Sequence, residues 1–239
     1  MRITGIDAIP VHVPLKPGMT TRTAHGEHAT SNYVIVKVHT DDGLVGLGEA
    51  TVSALWSGET SRGCVAAIEE WLAPAVKGSD PREVSRLRLL MDKALKLNPF
   101  AKSALEMAFW DLAGKAAGVP VCQLLGGKCR DAVPIKMMIG AFEPTRAVKL
   151  AETFLEWGVR CLKVKVGLDI EGDVDRVRAV RLAAGPDLPI TIDSNCGWNI
   201  TTARLALERL RAFNLLVAEQ PIPPGEVADL AWLRQSCGI

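Results

Sequence analysis

The sequence contains no apolar run approaching the roughly 18–20 residues of a membrane span. It has no excess of charge of either sign and no cysteine pair spaced for zinc or redox chemistry. Lys and Arg number 28 against 27 Asp and Glu, a net charge of +1. That balance excludes the basic footprint of a nucleic-acid or membrane-surface partner. Six cysteines (Cys64, Cys122, Cys129, Cys161, Cys196 and Cys237) are scattered without a CxxC. They are expected to be free thiols in a reducing cytoplasm. The opening stretch, MRITGIDAIPVHVPL, has Arg2 but no continuous apolar core, so no secretory signal is expected.

What the chain does have is an ordinary globular balance, 48% apolar and 23% charged over 239 residues. That length suits one large domain or two ordinary ones. The pattern changes along it. Up to about residue 50 the signal is β. ITGIDAIPVHVPL alternates, and NYVIVKVHT reaches the turn DDG (41–43) and continues as LVGLGEA, a hairpin or meander. The polar stretch 17–31 reads as a long mobile loop. From about 60 to 118 the signal is helical. SRGCVAAIEEWLAPAV stops near Pro74, DPREVSRLRLLMDKAL starts with Asp80 as N-cap and Pro81 at the first helical position, and a third helix closes at Gly118. Residues 1–125 are thus expected to form an α+β capping domain.

Over 126–239, strand and helix alternate four times: AVPIKMMIG, VRCLKVKVG, LPITIDSN and LLVAEQP are each followed by a helix, the first of them, EPTRAVKLAETFLEWG, amphipathic and the last GEVADLAWLRQSCG. A repeat near 25–30 residues is the βα unit of a parallel sheet or barrel, and about four units are present. In such a barrel alternate side chains face inward. Leu162, Val164, Val166, Ile190, Ile192, Leu216 and Ala218 are assigned to the helices; Lys163, Lys165, Asp193, Asn195 and Glu219 are assigned to the interior. Buried lysines are costly without partners. Lys163 to Asp193 is 30 residues and Asp193 to Glu219 is 26, one βα step each, so the four charged groups should meet at the C-terminal rim. Two carboxylates beside lysines suit a hard cation, Mg²⁺ or Mn²⁺. Such an ion could bind a substrate carboxylate and stabilise the enediolate left by loss of the α-proton. A lysine next to another cation can serve as the base once its pKa falls.

These residues resemble the mandelate racemase/muconate-lactonizing branch of the enolase superfamily. Lys163-Val-Lys165 is similar to its KxK strand, Asp193-Ser-Asn195 with Trp198 to its D-x-N-x-x-W segment, and Glu219-Gln-Pro to its E-Q-P segment. AKSALEMAFWDLAGKAAGVPVCQLLGG (101–127) resembles the interdomain signature, with Phe109 a small departure. The resemblance covers essentially the whole chain and its fold: a capping domain, then the first half of a (β/α) barrel.

The resemblance implies Asp193 and Glu219 as metal ligands, Lys165 as the base, Lys163 on the substrate carboxylate, and Asn195 as support. It implies His25 and Trp56 as specificity contacts in two loops that close over the substrate. A third metal ligand is expected past Ile239 and an opposite-face acid or base later still, so the 239-residue polypeptide alone is expected to be inactive or insoluble. The expected partner is a small-molecule carboxylate, with no nucleic acid or membrane, in a homo-oligomer at full length. The expected chemistry is that of a muconate cycloisomerase-like isomerase or lyase: cycloisomerisation, racemisation or epimerisation, or syn-elimination. An acid-sugar dehydratase, a mandelate-type racemase and a non-catalytic scaffold stay open as alternatives. Each residue also has a plainer reading: Asp193 as a helix cap, Lys163 and Lys165 as edge-strand lysines, Glu219 as a cap or salt bridge, His25 as a solvated loop residue and Trp56 as loop packing.

Overall fold

The computed structural model describes residues 1–225 and 227–239. It divides into two compact units: Met1–Pro14 with Thr30–Asp131, and Leu15–Ala29 with Ala132–Ile239.

In the first unit, β1 (Ile3–Pro14) leaves for the second unit, where β2 (Thr21–Thr23) and β3 (Gly26–His28) form a small hairpin. The chain returns as β4 (Thr30–Thr40) and β5 (Val45–Thr51). The sheet is antiparallel in the order β1-β4-β5. Alternation decides its faces: Val34, Val36 and Val38 are fully buried, whereas Lys37 between them is exposed. The helices α1 (Ser61–Ala66), α2 (Ala73–Val76), α3 (Val84–Ala94), α4 (Pro99–Ala117) and α5 (Val121–Leu124) complete the unit.

Helix α4 lies directly on the backbone of β5. A Cβ on Gly48 would stand 1.8 Å from the Ala104 carbonyl oxygen, so only glycine admits the helix there. The start of α4 is held from a distance. Asn98 has a left-handed φ of 54° and makes no cap. The buried Glu59 carboxylate does so instead, accepting from Phe100 N (2.8 Å) and Ala101 N (3.1 Å).

Several sequence expectations shift here. Residues 17–31 are not one continuous loop, since they hold the β2–β3 hairpin. The first helical stretch does stop near Pro74, ending two residues past it at Val76; within it a π-helical run, Ala67–Leu72, links α1 to α2. Asp80 does not cap α3, which begins at Val84. Its carboxylate is engaged by the backbone N–H (3.0 Å) and guanidinium (2.6 Å) of Arg82, a local turn that competes with helix. Gly118 does end α4, in left-handed geometry (φ 67°).

In the second unit strand and helix alternate: β6 (Met137–Ile139), α6 (Pro144–Glu156), β7 (Leu162–Lys165), α7 (Ile170–Ala184), β8 (Ile190–Asp193), α8 (Ile200–Leu210), β9 (Val217–Glu219) and α9 (Val227–Cys237). The strands are parallel in the order β6-β7-β8-β9. Glu226, within the span expected for the last helix, lies outside the described residues. Asp169 and Asn199 cap α7 and α8 by accepting from Gly172 N (2.8 Å) and Thr202 N (2.9 Å). Leu162, Val164, Val166, Ile190 and Ile192 form the core with Ala147, Ala151, Val177, Val180, Ala203 and Leu207 from the helices. Each buried Ile or Leu contributes about 1.5–3 kcal/mol.

Two expectations are corrected in this unit. The first strand spans only Met137–Ile139 rather than 132–140, because β7 is four residues long and Pro134 has no N–H to pair. Leu216 does not face the helices. It is exposed just ahead of the edge strand β9, and Leu215 packs against the core in its place.

Candidate active site

The parallel register sets Lys165 beside Asp193 and Asp193 beside Glu219. Because paired residues of parallel strands point to the same face, these side chains converge where the three strands end. Lys163 Nζ bridges both carboxylates, 2.8 Å from Asp193 Oδ2 and 2.7 Å from Glu219 Oε2. Lys165 Nζ lies 2.6 Å from Asp193 Oδ2 and 2.6 Å from Asn195 Oδ1. Asp193 is fully buried and Lys165 nearly so, whereas the Glu219 side chain is about two-fifths exposed (41%). The site therefore has a dry wall at β7–β8 and an open one at β9.

Asn195 lies beyond the end of β8 rather than within it. It has a left-handed φ of 47°, followed by Cys196 at 61°, and Gln220 after Glu219 is at 45°. Non-glycine residues in this region are strained by roughly 1 kcal/mol or more each, and they persist where the surroundings hold them. Here Asn195 N donates to Asp193 Oδ1 (2.8 Å), Ser194 Oγ and Cys196 N donate to the Gln220 carbonyl (2.6 and 2.9 Å), and Asn195 Nδ2 reaches Gln220 Oε1 (3.3 Å). The turns after β8 and β9 are thereby cross-linked under the carboxylates. Gly197 lets a third element in. A Cβ there would stand 2.3 Å from the Gly167 carbonyl oxygen and 2.8 Å from Ala24 Cβ. The β2–β3 hairpin is seated on this rim, with Ala141 N donating to the Arg22 carbonyl (2.7 Å).

Electrostatics separate the two lysines. Burial lowers the pKa of Lys165, and the Lys163 ammonium adds to this against the opposing pull of Asp193. Burial, rather than the neighbouring cation expected from the sequence, is the larger cause. Burial acts the same way on Lys163, but the hydrogen bonds it donates to Asp193 and Glu219 outweigh it and hold that ammonium above its ordinary value. Burial alone would raise Asp193; the two lysines reverse this and keep its carboxyl low.

His25 makes no hydrogen bond or ion pair to this network. His25 is exposed at the hairpin turn, its backbone N–H on Thr23 Oγ1 (3.1 Å). Trp56 is exposed and belongs to the first unit; the lysine–carboxylate cluster belongs to the second. Sequence reasoning missed Lys136, whose Nζ is 3.9 Å from Glu219 Oε2. Its parity was a usable signal, since Met138 pairs with Lys163 and Lys136 shares the parity of Met138. It also missed Asp173 and Arg176, two charged residues on the stripe that α7 buries with Val177 and Val180. Among the described residues no three His, Cys, Asp or Glu side chains converge; the chain supplies two carboxylates to the cluster.

An α+β unit followed by a parallel α/β unit, with lysines and carboxylates on successive strand ends, defines a class of fold and site. The chain belongs to the mandelate racemase/muconate-lactonizing branch of the enolase superfamily. Residues 4–126 match the mandelate racemase/muconate lactonizing enzyme N-terminal domain, and residues 146–239 match the enolase C-terminal domain-like family. It is 30% identical to an N-succinyl-L-Arg/Lys racemase of Bacillus cereus, over all of this chain and 64% of that protein. It is also 30% identical to a chloromuconate cycloisomerase of a Pseudomonas species, over 99% of this chain and 63% of that one. Among solved structures, a dipeptide epimerase from Cytophaga hutchinsonii, complexed with Mg and D-Ala-L-Val, superposes with a TM-score of 0.92 at 32% identity. That match covers 99% of this chain and 64% of the other. The chain thus spans a little under two thirds of the length of these relatives.

Proposed function

We propose that the full-length protein removes a proton α to the carboxylate of a small-molecule substrate, with Lys165 as the base and a divalent metal, Mg²⁺ or else Mn²⁺, as cofactor. The observation that carries this reading is the setting of Lys165: buried, lowered in pKa, and held between two fixed acceptors. A neutral amine has two N–H bonds and one lone pair. Asp193 Oδ2 and Asn195 Oδ1 take the two N–H bonds, which leaves the lone pair to accept a proton.

Lys163 keeps its charge, and we assign it to the substrate carboxylate. With Lys165 neutral, Lys163 and the nearby Lys136 balance the two carboxylates, so a bound divalent cation would leave the cluster positive, which suits an anionic substrate. Asp193 and Glu219 fit a hard cation, because their oxygens already converge on one cationic group, Lys163 Nζ. Such a metal, when bound, supplies Lewis-acid stabilisation of charge on the substrate carboxylate.

Within this chemistry we favour the muconate cycloisomerase-like subgroup, with racemisation, epimerisation or cycloisomerisation as the outcome. The names of the relatives and the Mg and dipeptide in the Cytophaga epimerase support that choice. The setting we propose is a homo-oligomer in the cytoplasm. Its cysteines are unpaired, and no helix among the described residues is long and apolar enough to cross a membrane.

The test is a panel of L,L-dipeptides and N-succinyl amino acids incubated in D₂O with Mg²⁺ or Mn²⁺, together with a chloromuconate followed by loss of its diene absorbance. Turnover of one member that EDTA abolishes is expected. Turnover of none, with either metal, would overturn the reading.

A further inference from the structure

Helix α7 carries two charged residues that the proposed chemistry does not use. Asp173 is fully buried and Arg176 nearly so. Replacing a buried ion pair with apolar residues of similar volume is often neutral or stabilising, so such a pair is poorly explained as a source of stability. Its contacts offer another explanation. Arg176 Nη1 donates to Asp173 Oδ1 (2.8 Å) and to the backbone carbonyl of Lys165 (3.1 Å), and Arg176 Nε donates to the Phe142 carbonyl (2.5 Å). Asp173 Oδ2 accepts from Gly167 N (2.8 Å) and Leu168 N (3.2 Å). One pair of side chains thus clamps the chain just after β6, the last residue of β7, and the turn that follows. On the other side Val166 N is fixed by the Asp193 carbonyl (2.9 Å).

We propose that Asp173 and Arg176 are positioning residues for Lys165: they fix its backbone so that its long, flexible side chain delivers Nζ between Asp193 and Asn195. This rests on the proton-abstraction reading above. Neither residue is placed in contact with substrate; both act through the Lys165 backbone. A clamp at the main chain matters for this residue in particular, because a four-carbon stem amplifies a small rotation at Cα into a large displacement at Nζ. Misplacement of a reacting group by about 1 Å can cost about 100-fold in rate.

The same helix provides a matched control. Arg181 is also largely buried, and it donates to four carbonyls, those of Phe213 (2.9 Å), Gly185 (2.9 Å), Leu188 (2.7 Å) and Asn214 (2.8 Å). None of these belongs to a residue of the lysine–carboxylate cluster. A general loss of α7 packing would affect Arg176→Lys and Arg181→Lys alike; a positioning role would not.

The experiment compares the two variants in the full-length protein, by melting temperature, by kcat and KM on the substrate that the panel identifies, and by crystal structure. Both melting temperatures are expected to fall. Only Arg176→Lys should lower kcat, by about 10- to 100-fold with KM little changed, and with Lys165 Nζ displaced from Asp193 or Asn195. A kcat for Arg176→Lys equal to wild type, or an equal loss in Arg181→Lys, would overturn the proposal. If Arg176→Lys does not fold, Asp173→Asn is read the same way, since it loses the carboxylate that orients the guanidinium. If the wild-type protein turns over no panel member, the proton-abstraction reading fails, and the crystal structures still decide the positioning. An undisplaced Lys165 Nζ in the variant overturns it.

Discussion

Lys165 Nζ lies 2.6 Å from Asp193 Oδ2, and both side chains are withdrawn from solvent. The pair is held in opposite senses, Lys165 lowered chiefly by burial and Asp193 lowered by the two lysines against burial. A lysine whose native pKa lies below its unfolded value loses its proton earlier in the folded protein. Its contribution to stability therefore grows as pH rises from the native value toward the ordinary lysine value. Asp193 has the usual carboxylate behaviour: its contribution is present above the unfolded carboxylate value and is lost as pH falls through the lowered native one.

The rate of substrate α-proton exchange should follow Lys165. It is expected to rise with pH as the amine becomes neutral, with a midpoint below the roughly 10.4 of a free lysine. Exchange measured across the neutral and alkaline range checks this. A rate that is flat with pH, or that falls, would remove Lys165 as the base.

Glu59 is a stability residue of the first unit. Its two oxygens serve two N–H groups at the start of α4, and glutamine can present only one acceptor oxygen. Glu59→Gln should cost about 1–3 kcal/mol in urea unfolding. A loss below about 0.5 kcal/mol, the range of ordinary surface changes, would show that the long-range cap is not needed.

The cysteines should react in an order set by exposure and pKa. Burial, with Glu59 adding to it, pushes the Cys64 thiol up to about 11, whereas Cys122 and Cys129 are exposed. Alkylation needs the thiolate, so at about pH 8 Cys122 and Cys129 should label first and Cys64 only on unfolding. Mass mapping after brief iodoacetamide treatment reads this directly; early labelling of Cys64 would contradict its burial.

How much of this was legible in the sequence differs by residue. Strand parity alone placed Lys163, Lys165, Asp193 and Glu219 on one face, because apolar residues at the alternate positions leave charged ones nowhere else to go. Parity also held the clue to Lys136, which lies one residue ahead of the short strand β6. Asp173 and Arg176 were hidden for a different reason. A helix pattern shows which face is buried but not which distant carbonyls that face will meet. The Asp80 cap failed because a local turn with Arg82 competes with the helix, a balance that residue type does not settle. The left-handed Asn195, Cys196 and Gln220 carry no glycine signal at all; cross-linking between the two turns holds them.

The most direct test of the central claim is Lys165→Met in the full-length protein, with α-proton exchange and Mg²⁺ affinity measured side by side. Exchange is expected to fall by about 10²- to 10⁴-fold, the usual contribution of a positioned general base, while Mg²⁺ still binds through Asp193 and Glu219. Exchange at the wild-type rate in Lys165→Met would contradict the account.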